Sequence, residues 1–359
     1  MATKYKYIIL ANQIREQIST GYYYPGTKLP TENELCLRYD LSRQTIRQAL
    51  SLLEAEGLIE KRQGSGSFVT NDRAHSTNPN GNKTIAVITT YIGEYIFPDI
   101  LRAIEEILTE NHYLTMIFAT KNRVDNERRI LSNLLQQPLA GIIIEGTKSA
   151  LPNPNIDLYR EFEFRQIPIV FVHSSYPELT GAIRVVADDK RGGRIATEHL
   201  IANGHRRIAC IFKSDDIQGH LRYAGYSAAM RSYELPIVDD NVLWYTTESR
   251  NLISIFGSNL IRNCTAVVCY NDEIALQLVS LLKDRNIKVP EDISIMSFDN
   301  STYSELSSPK ISSCSQHKRQ IGILSAKKLI NLINGKKEET AILPWKVIEK
   351  ESVKRLIDD

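Results

Sequence analysis

The sequence predicts a multidomain chain: a small helical module closed by a β-hairpin over residues 1–70, a flexible linker over 71–83, and a two-lobed α/β domain with parallel sheets over 84–359. Three observations predict it. The first 70 residues carry three amphipathic helical stretches and then a Gly-containing hairpin. Residues 71–83 hold one small apolar side chain among turn formers, too little surface to fold around. From Thr84 onward, short β-branched runs alternate with helical stretches, the pattern of strands joined by crossover helices.

Composition sets bounds before any motif is read. The 42% hydrophobic and 24% charged fractions are those of a soluble globular protein. At about 100–200 residues per domain, 359 residues make two or three domains. A net charge of +2 gives no overall signature of nucleic-acid binding, and residues 1–70 hold nine Lys and Arg against seven Asp and Glu, so a case for DNA rests on where the charges stand. Cys36, Cys210, Cys264, Cys269 and Cys314 are odd in number and lack metal-ligand spacing, which predicts buried or idle thiols in a reducing compartment. No apolar run approaches about 18 residues and Met1-Ala-Thr-Lys-Tyr-Lys6 is no signal peptide, so a cytoplasmic location without membrane contact is expected.

In the N-terminal module Tyr7, Leu10, Ala11, Ile14 and Ile18 mark a first helix, closed by Gly21 and a Pro25-Gly26 turn. Thr31-Glu-Asn-Glu34 fits a capping box and predicts a second helix at 32–39. Asp40-Leu41 turns the chain into a third, with Ser42 as N-cap, Ile46, Ala49, Leu50 and Leu53 as its apolar stripe, and Gly57 as its end. That stripe leaves Arg43, Gln44 and Arg47 outward on the first turns, the end a recognition helix offers to the major groove. An ordinary amphipathic helix with solvated charges would share this pattern. Its neighbours decide: Leu58-Ile-Glu-Lys-Arg62 and Ser67-Phe-Val-Thr70 flank Gln63-Gly-Ser-Gly66 as a hairpin, and a hairpin directly after a helix-turn-helix is the wing of a winged helix.

Lys28-Leu-Pro-Thr-Glu-Asn-Glu-Leu35, Leu41-Ser-Arg-Gln-Thr-Ile-Arg-Gln-Ala-Leu50, Glu56-Gly-Leu-Ile59 and Gly64-Ser-Gly-Ser-Phe-Val69 resemble the winged helix of GntR-family transcription regulators over essentially all of 1–70. The resemblance implies that Arg47 contacts a guanine, that Arg43 and Gln44 share base and phosphate contacts with Thr45 on the same turn, and that Gln63 is the wing tip. Glu32 and Lys6 match positions that approach a base and a phosphate in related proteins, although Glu32 is also placed to serve only the cap and Lys6 only a solvated terminus.

Strand-like runs follow at 84–90, 113–119, 141–144, 167–172, 207–212, 266–269 and 293–298, too many for one ordinary doubly wound sheet, so two lobes are expected. Asp188-Asp-Lys-Arg-Gly-Gly-Arg-Ile-Ala-Thr-Glu-His-Leu200, Leu221-Arg-Tyr-Ala-Gly-Tyr226, Tyr270-Asn-Asp-Glu-Ile-Ala275, Val289-Pro-Glu-Asp-Ile293 and Phe298-Asp-Asn-Ser301 resemble LacI-type repressors and periplasmic sugar-binding proteins. That resemblance implies a periplasmic-binding-protein-like effector and dimerisation domain, with an N-lobe of about 84–187 plus 317–334 and a C-lobe of about 188–315 plus 335–359. Thr89-Thr-Tyr-Ile-Gly-Glu-Tyr-Ile-Phe-Pro98, Thr147-Lys-Ser-Ala150 and Cys269-Tyr-Asn-Asp-Glu-Ile-Ala-Leu276 resemble the arabinose-responsive members of such two-module regulators. They imply a small sugar, L-arabinose, as effector.

Ligands of open α/β sheets bind beyond the carboxyl ends of the strands. That rule selects Tyr91, Tyr95 and Phe97 as aromatic faces for a sugar ring, Glu145, Lys148 and His173 after the next strands, and Asp272 and Asp299 in the C-lobe. The resemblance adds Arg222 as the ligand-clamping arginine and Gln316 at the crossover. Charged planar side chains grip a polyol through directional hydrogen bonds. A cap, core filler or surface ion pair is the alternative role for each, and it weighs most for His173, Lys148 and Asp272. A Walker loop, a zinc helix, a G-x-S-x-G elbow and a dinucleotide fingerprint are all missing, so neither an enzyme nor a cofactor is expected.

The expectation is therefore a homodimeric repressor released from operator DNA by a sugar. Another pentose, a hexose or a nucleobase as effector, and a sugar-binding transport protein as the alternative class, stay open. LacI-type relatives transmit closure through a hinge helix, and 71–83 shows none, so a change in the spacing of two tethered readers is expected instead.

Overall fold

The computed structural model describes residues 3–19, 22–24, 26–55, 57–62, 65–70, 82–93 and 95–356, and the chain divides into two units, Met1–Thr77 and Asn78–Asp359. Gln63 and residues 71–81 of the expected linker lie outside the described residues.

The first unit is built from α1 (Thr3–Ser19), α2 (Glu32–Tyr39), α3 (Arg43–Ala55), β1 (Ile59–Arg62) and β2 (Gly66–Val69). The stripes expected on α1 and α3 meet: Leu10, Ile14 and Ile18 pack with Ile46, Ala49, Leu50 and Leu53, and Leu35, Ile59 and Val69 close the core. The capping box is made, with the Thr31 amide donating to Glu34 Oε2 at 2.7 Å and the Glu34 amide to Thr31 Oγ1 at 3.3 Å. Asp40, left-handed at φ 50°, ends α2. The wing gains a third edge from the segment before α2, where the Leu29 amide donates to the Ser67 carbonyl at 2.8 Å and the Val69 amide to the Thr27 carbonyl at 2.9 Å.

The second unit begins with β3 (Thr84–Thr89), α4 (Phe97–Glu110), β4 (Leu114–Ala119), α5 (Val124–Leu134), β5 (Gly141–Glu145), α6 (Ile156–Phe164), β6 (Ile169–Val172) and β7 (Ile183–Ala187). Then come α7 (Asp189–Ala202), β8 (Ile208–Lys213), α8 (Ile217–Ser232), β9 (Val242–Tyr245), α9 (Leu252–Leu260), β10 (Ala266–Cys269), α10 (Asp272–Asp284), β11 (Ser294–Phe298), α11 (Thr302–Leu306) and β12 (Ser312–Ser315). The chain ends through α12 (Lys318–Ile333), β13 (Ala341–Leu343) and β14 (Lys346–Ile348).

Among the described residues these strands form two sheets, ordered β13-β7-β6-β5-β3-β4 in the N-lobe and β14-β12-β11-β10-β8-β9 in the C-lobe. All neighbours are parallel except β14 against β12. Both faces are covered, which is why the strands read as continuous apolar runs. On β3, Ile85 and Val87 face α4 and α12, while Ala86 and Ile88 face α5 and α6.

Several features depart from the sequence reading, which found no strand at β7, β9, β12, β13 or β14. Residues 335–359 do not belong wholly to the C-lobe, because β13 pairs with β7 in the N-lobe sheet before β14 returns. Three residues with Ile342 exposed carry no periodicity to announce that strand. β12 was likewise invisible, because Ser312-Ser-Cys-Ser315 is buried through hydrogen bonds, such as the Ser312 amide to Ser352 Oγ at 2.8 Å, and not through apolar side chains.

Close packing joins α7 to α8. A Cβ at Gly193 would stand 2.0 Å from the Arg222 carbonyl oxygen, and one at Gly225 would stand 2.1 Å from that of Lys190. Only glycine admits this approach, which seats Arg222 deep in the C-lobe. Gly193→Ala is expected to lower stability by about 1–3 kcal/mol in urea unfolding; an unchanged midpoint would mean the helices have room to spare.

Candidate ligand cleft and nucleic-acid interface

A cleft with about 720 Å³ of empty space, its mouth included, lies between the lobes at the carboxyl ends of their strands. Of the residues expected there, Tyr91, Tyr95, Phe97, Glu145, His173, Arg222 and Asp299 line it.

Arg222, on α8, is 1% exposed. Its Nε donates to Asp189 Oδ1 at 2.8 Å and its Nη1 to the Tyr270 carbonyl at 2.5 Å, while Nη2 lies 3.7 Å from Asp299 Oδ1. The rings of Tyr270, Phe298 and Trp345 stand 4.9, 4.5 and 4.9 Å from the guanidinium carbon. Burial opposes the charge, and the carboxylates of Asp189 and Asp299 outweigh it, so the pKa of Arg222 rises above its ordinary value.

A second ion pair faces it from the N-lobe. His173 Nδ1 lies 2.8 Å from Glu145 Oε1, and Glu145 Oε2 accepts from the Thr90 amide at 2.9 Å and from the Thr90 hydroxyl. Burial alone would lower the imidazole pKa, yet Glu145 beside it, with Asp299 and Asp189 nearby, holds it above the usual 6.5. Burial pushes Glu145 up and His173 more than offsets it, leaving the carboxyl below its usual 4.5. His173 Nε2 is buried without a partner.

The sequence reading passed over the third part of the lining. Lys213, 6% exposed at the end of β8, donates from Nζ to Asp216 Oδ2 at 2.5 Å, and Arg250 Nη1 lies 2.5 Å from Glu273 Oε1. Tyr245 and Tyr270 add rings. Of these, Lys213 and Tyr270 were open to the strand-end rule; Tyr245 ends a strand, β9, that the sequence reading did not find, and the loop residue Arg250 offered no signal.

Several predicted residues stand elsewhere. Asp272 turns from the cleft, its carboxylate accepting from the Ser301 amide at 2.6 Å, Ser301 Oγ at 2.8 Å and Ser313 Oγ at 2.6 Å; burial, with Asp299 adding to it, pushes its pKa up to about 6. Lys148 reaches across to Glu248 at 2.5 Å and ties the lobes together outside the lining. Gln316 sits behind the cleft wall and donates from Nε2 to Asp299 Oδ1 at 3.1 Å. Tyr95 lines the cleft with its hydroxyl already engaged: it bonds the Asp299 carboxylate and accepts from the Asp272 amide at 3.1 Å, spanning the lobes.

Some of the backbone strain stands at this place: Lys148, His173 and Asp299, soon after strand ends, and Tyr95, just before α4, are left-handed at φ 44°, 63°, 91° and 63°.

On the first unit, Arg43 and Arg47 are exposed on one face of α3 and both donate from Nε to Glu32 Oε2, at 3.1 and 2.9 Å. Burial resists the charge on Glu32, but the two guanidiniums hold its pKa below the ordinary 4.5. Gln44 and Lys6 are exposed. Thr45 is not: at 4% exposure its hydroxyl bonds Ser42 Oγ at 2.8 Å and completes the cap, which removes it from the outer face.

A two-lobed α/β clamp with a charged, ring-walled cleft, carried on one chain with a winged helix-turn-helix, defines a ligand-responsive transcription regulator. Residues 7–69 match the bacterial regulatory proteins of the gntR family, and residues 197–353 match the periplasmic binding protein-like domain. The chain is 39% identical over 348 residues to an arabinose metabolism transcriptional repressor of Halalkalibacterium halodurans, covering 94% of this chain and 92% of that protein. It is 39% identical over 334 residues to one of Geobacillus stearothermophilus, covering 91% of each. A LacI family transcriptional regulator from Enterococcus faecium, solved with bound ribose, superposes with a TM-score of 0.66 at 26% identity, over 77% of this chain and all of that one. The chain belongs to the family of arabinose metabolism transcriptional repressors and, like them, is a regulator and not an enzyme.

The His173 and Glu145 shifts fix the sign of a pH effect. The raised imidazole adds stability that is whole below 6.5 and lost as pH climbs through its folded value; the lowered carboxyl adds stability that is present above 4.5 and lost as pH falls through its own. The advantage of the wild type over His173→Gln in urea unfolding is expected to be largest between those ordinary values and to shrink toward alkaline pH. A constant advantage would mean that the imidazole titrates alike in the folded and unfolded chain, so that its pairing with Glu145 contributes nothing through charge.

Proposed function

We propose that the protein holds operator DNA as a homodimer in the cytoplasm and lets go when L-arabinose fills the cleft. The observation that carries the sugar reading is the pairing of every cation in the lining: Arg222 with Asp189, Lys213 with Asp216, Arg250 with Glu273 and His173 with Glu145. Such a site offers directional donors and acceptors without an uncompensated positive charge, which suits a neutral polyol and not a sugar phosphate. Tyr91, Phe97 and Tyr245 supply flat apolar faces for the C–H side of a ring. The unpartnered Nε2 of His173 supports the same reading, since a buried polar atom left alone implies a missing hydrogen-bond partner. The names of the two 39% relatives point to arabinose among pentoses.

On the DNA side, Arg43 and Arg47 spend Nε on Glu32, so their terminal amino groups remain for a guanine edge or a phosphate. Gln44, Lys6 and Gln63 complete the proposed contacts. Two such readers on a symmetric dimer address two half-sites, and the cleft acts on them only if the sugar binds one dimer geometry better than the other. No helix among the described residues is long and apolar enough to cross a membrane, and all five cysteines are free thiols, in keeping with the proposed compartment.

Calorimetry of the full chain against L-arabinose, D-ribose, D-xylose and a sugar phosphate tests the ligand; preference for the phosphate ester over every free sugar would sink the neutral-polyol reading. Operator DNA selected from a random library, followed by fluorescence anisotropy, tests the reader. Arg47→Ala is expected to cost about 1–3 kcal/mol of operator affinity and to relax selectivity at one base. Retention of full affinity and selectivity would remove α3 from the major groove.

A further inference from the structure

Three joints carry the chain between the lobes, and each delivers one side chain to Arg222 or to Asp299 beside it. Asp189 follows β7 and accepts from Arg222 Nε at 2.8 Å. Gln316 follows β12 and donates to Asp299 Oδ1 at 3.1 Å. Trp345 stands between β13 of the N-lobe sheet and β14 of the C-lobe sheet, with its ring 4.9 Å from the guanidinium carbon. The first two are polar partners that any buried charge requires. Trp345 is different, for it contributes an indole face, 6% exposed, held edge-on by Phe298 at 5.3 Å. Gly192 makes room for it, since a Cβ there would stand 2.6 Å from the indole Cδ1.

We infer that Trp345 is a positioning residue of the effector clamp: its indole sets the plane of the Arg222 guanidinium against the cleft and makes that setting depend on the angle between the lobes. The inference rests on the proposed role of Arg222 in holding the effector. Two other rings face the guanidinium, Tyr270 at 4.9 Å and Phe298 at 4.5 Å. Both sit at strand ends of the sheet that α8 packs against, so they travel with Arg222 when the lobes move. Trp345 instead follows Leu343, which is paired with Ala187 in the N-lobe sheet, and precedes Lys346, which is paired with Ser315 in the C-lobe sheet. Hinge bending concentrates at such a joint. Trp345 packs in the C-lobe core with Phe298, yet the chain two residues before it is held in the N-lobe sheet, so of the three rings it is the one directly tethered to both lobes. A guanidinium stacks by its plane, so a shift of one ring turns the fork that faces the ligand.

Calorimetry of the full chain with L-arabinose tests this with Trp345→Leu and Trp345→Phe. W345L is expected to weaken sugar affinity about tenfold, and W345F, which keeps an aromatic face, to restore most of it. Affinity for selected operator DNA without sugar should stay at the wild-type level in both, a pattern that a merely structural role would not produce. Wild-type affinity in W345L, or an equal loss in both variants, overturns the inference. Should W345L fail to fold, Trp345→Met, which fills the space with a flexible apolar chain, takes its place with the same expected loss. If the wild type binds no sugar, the proposed function fails on its own, and the positioning contact is then read without ligand. In a Trp244→Phe background the emission of Trp345 must change when Arg222→Lys removes the planar guanidinium, and an unchanged spectrum overturns the inference.

Discussion

A guanidinium taken out of water costs several kcal/mol unless its surroundings replace what water supplied, and the second unit of this protein is arranged around meeting that demand for Arg222. The carboxylate of Asp189, the carbonyl of Tyr270, the nearby Asp299 and three aromatic rings enclose it. Each partner imposes a condition on the fold. The helix that carries Arg222 must touch α7, which requires glycine at 193 and 225. Asp189 must open α7 at the first crossing between lobes, and the segment between β13 and β14 must return far enough to deliver Trp345. Loss of Asp189 would take away the carboxylate that directly pairs the guanidinium, so the hinge and the candidate site share one set of constraints.

The strained residues follow the same logic. Left-handed backbone at His173, Lys148, Tyr95 and Asp299 costs about 1–3 kcal/mol apiece and persists only where neighbours determine it more strongly. Those neighbours are visible: Glu145 for His173, Glu248 for Lys148, and the mutual bond of Tyr95 and Asp299. Three of the four face the cleft and the fourth bridges its rim, so at these positions strain serves to aim side chains at one volume.

The small unit solves a milder problem. Its arginines are about 61% exposed, and their pairing with Glu32 is screened by water and salt, so the pair adds little to stability. What it supplies is direction: one carboxylate fixed by the start of α2 holds two flexible side chains on one face of α3. Thr45 completes the local order from beneath by closing the Ser42 cap.

The sequence by itself determined whatever depends on short-range periodicity and local chemistry. The stripe of α3, the Thr31 capping box, the hairpin and the apolar parallel strands β3, β4, β5, β6, β8, β10 and β11 were legible, because an amphipathic face or a reciprocal cap involves residues a few positions apart. Strand ends likewise pointed to Glu145, His173 and Asp299, since a parallel α/β sheet places its site there. Only the tertiary structure decided where side chains beyond those ends turn. Asp272 stands at the right strand end, opening α10, and serves Ser301 and Ser313 instead. Tyr95 meets a carboxylate 204 positions away, and Trp345 reaches Arg222 from the link between two strands too short to show a pattern. Such choices are made by partners remote in sequence and by backbone angles that residue type does not announce, so they become visible only when both lobes are assembled.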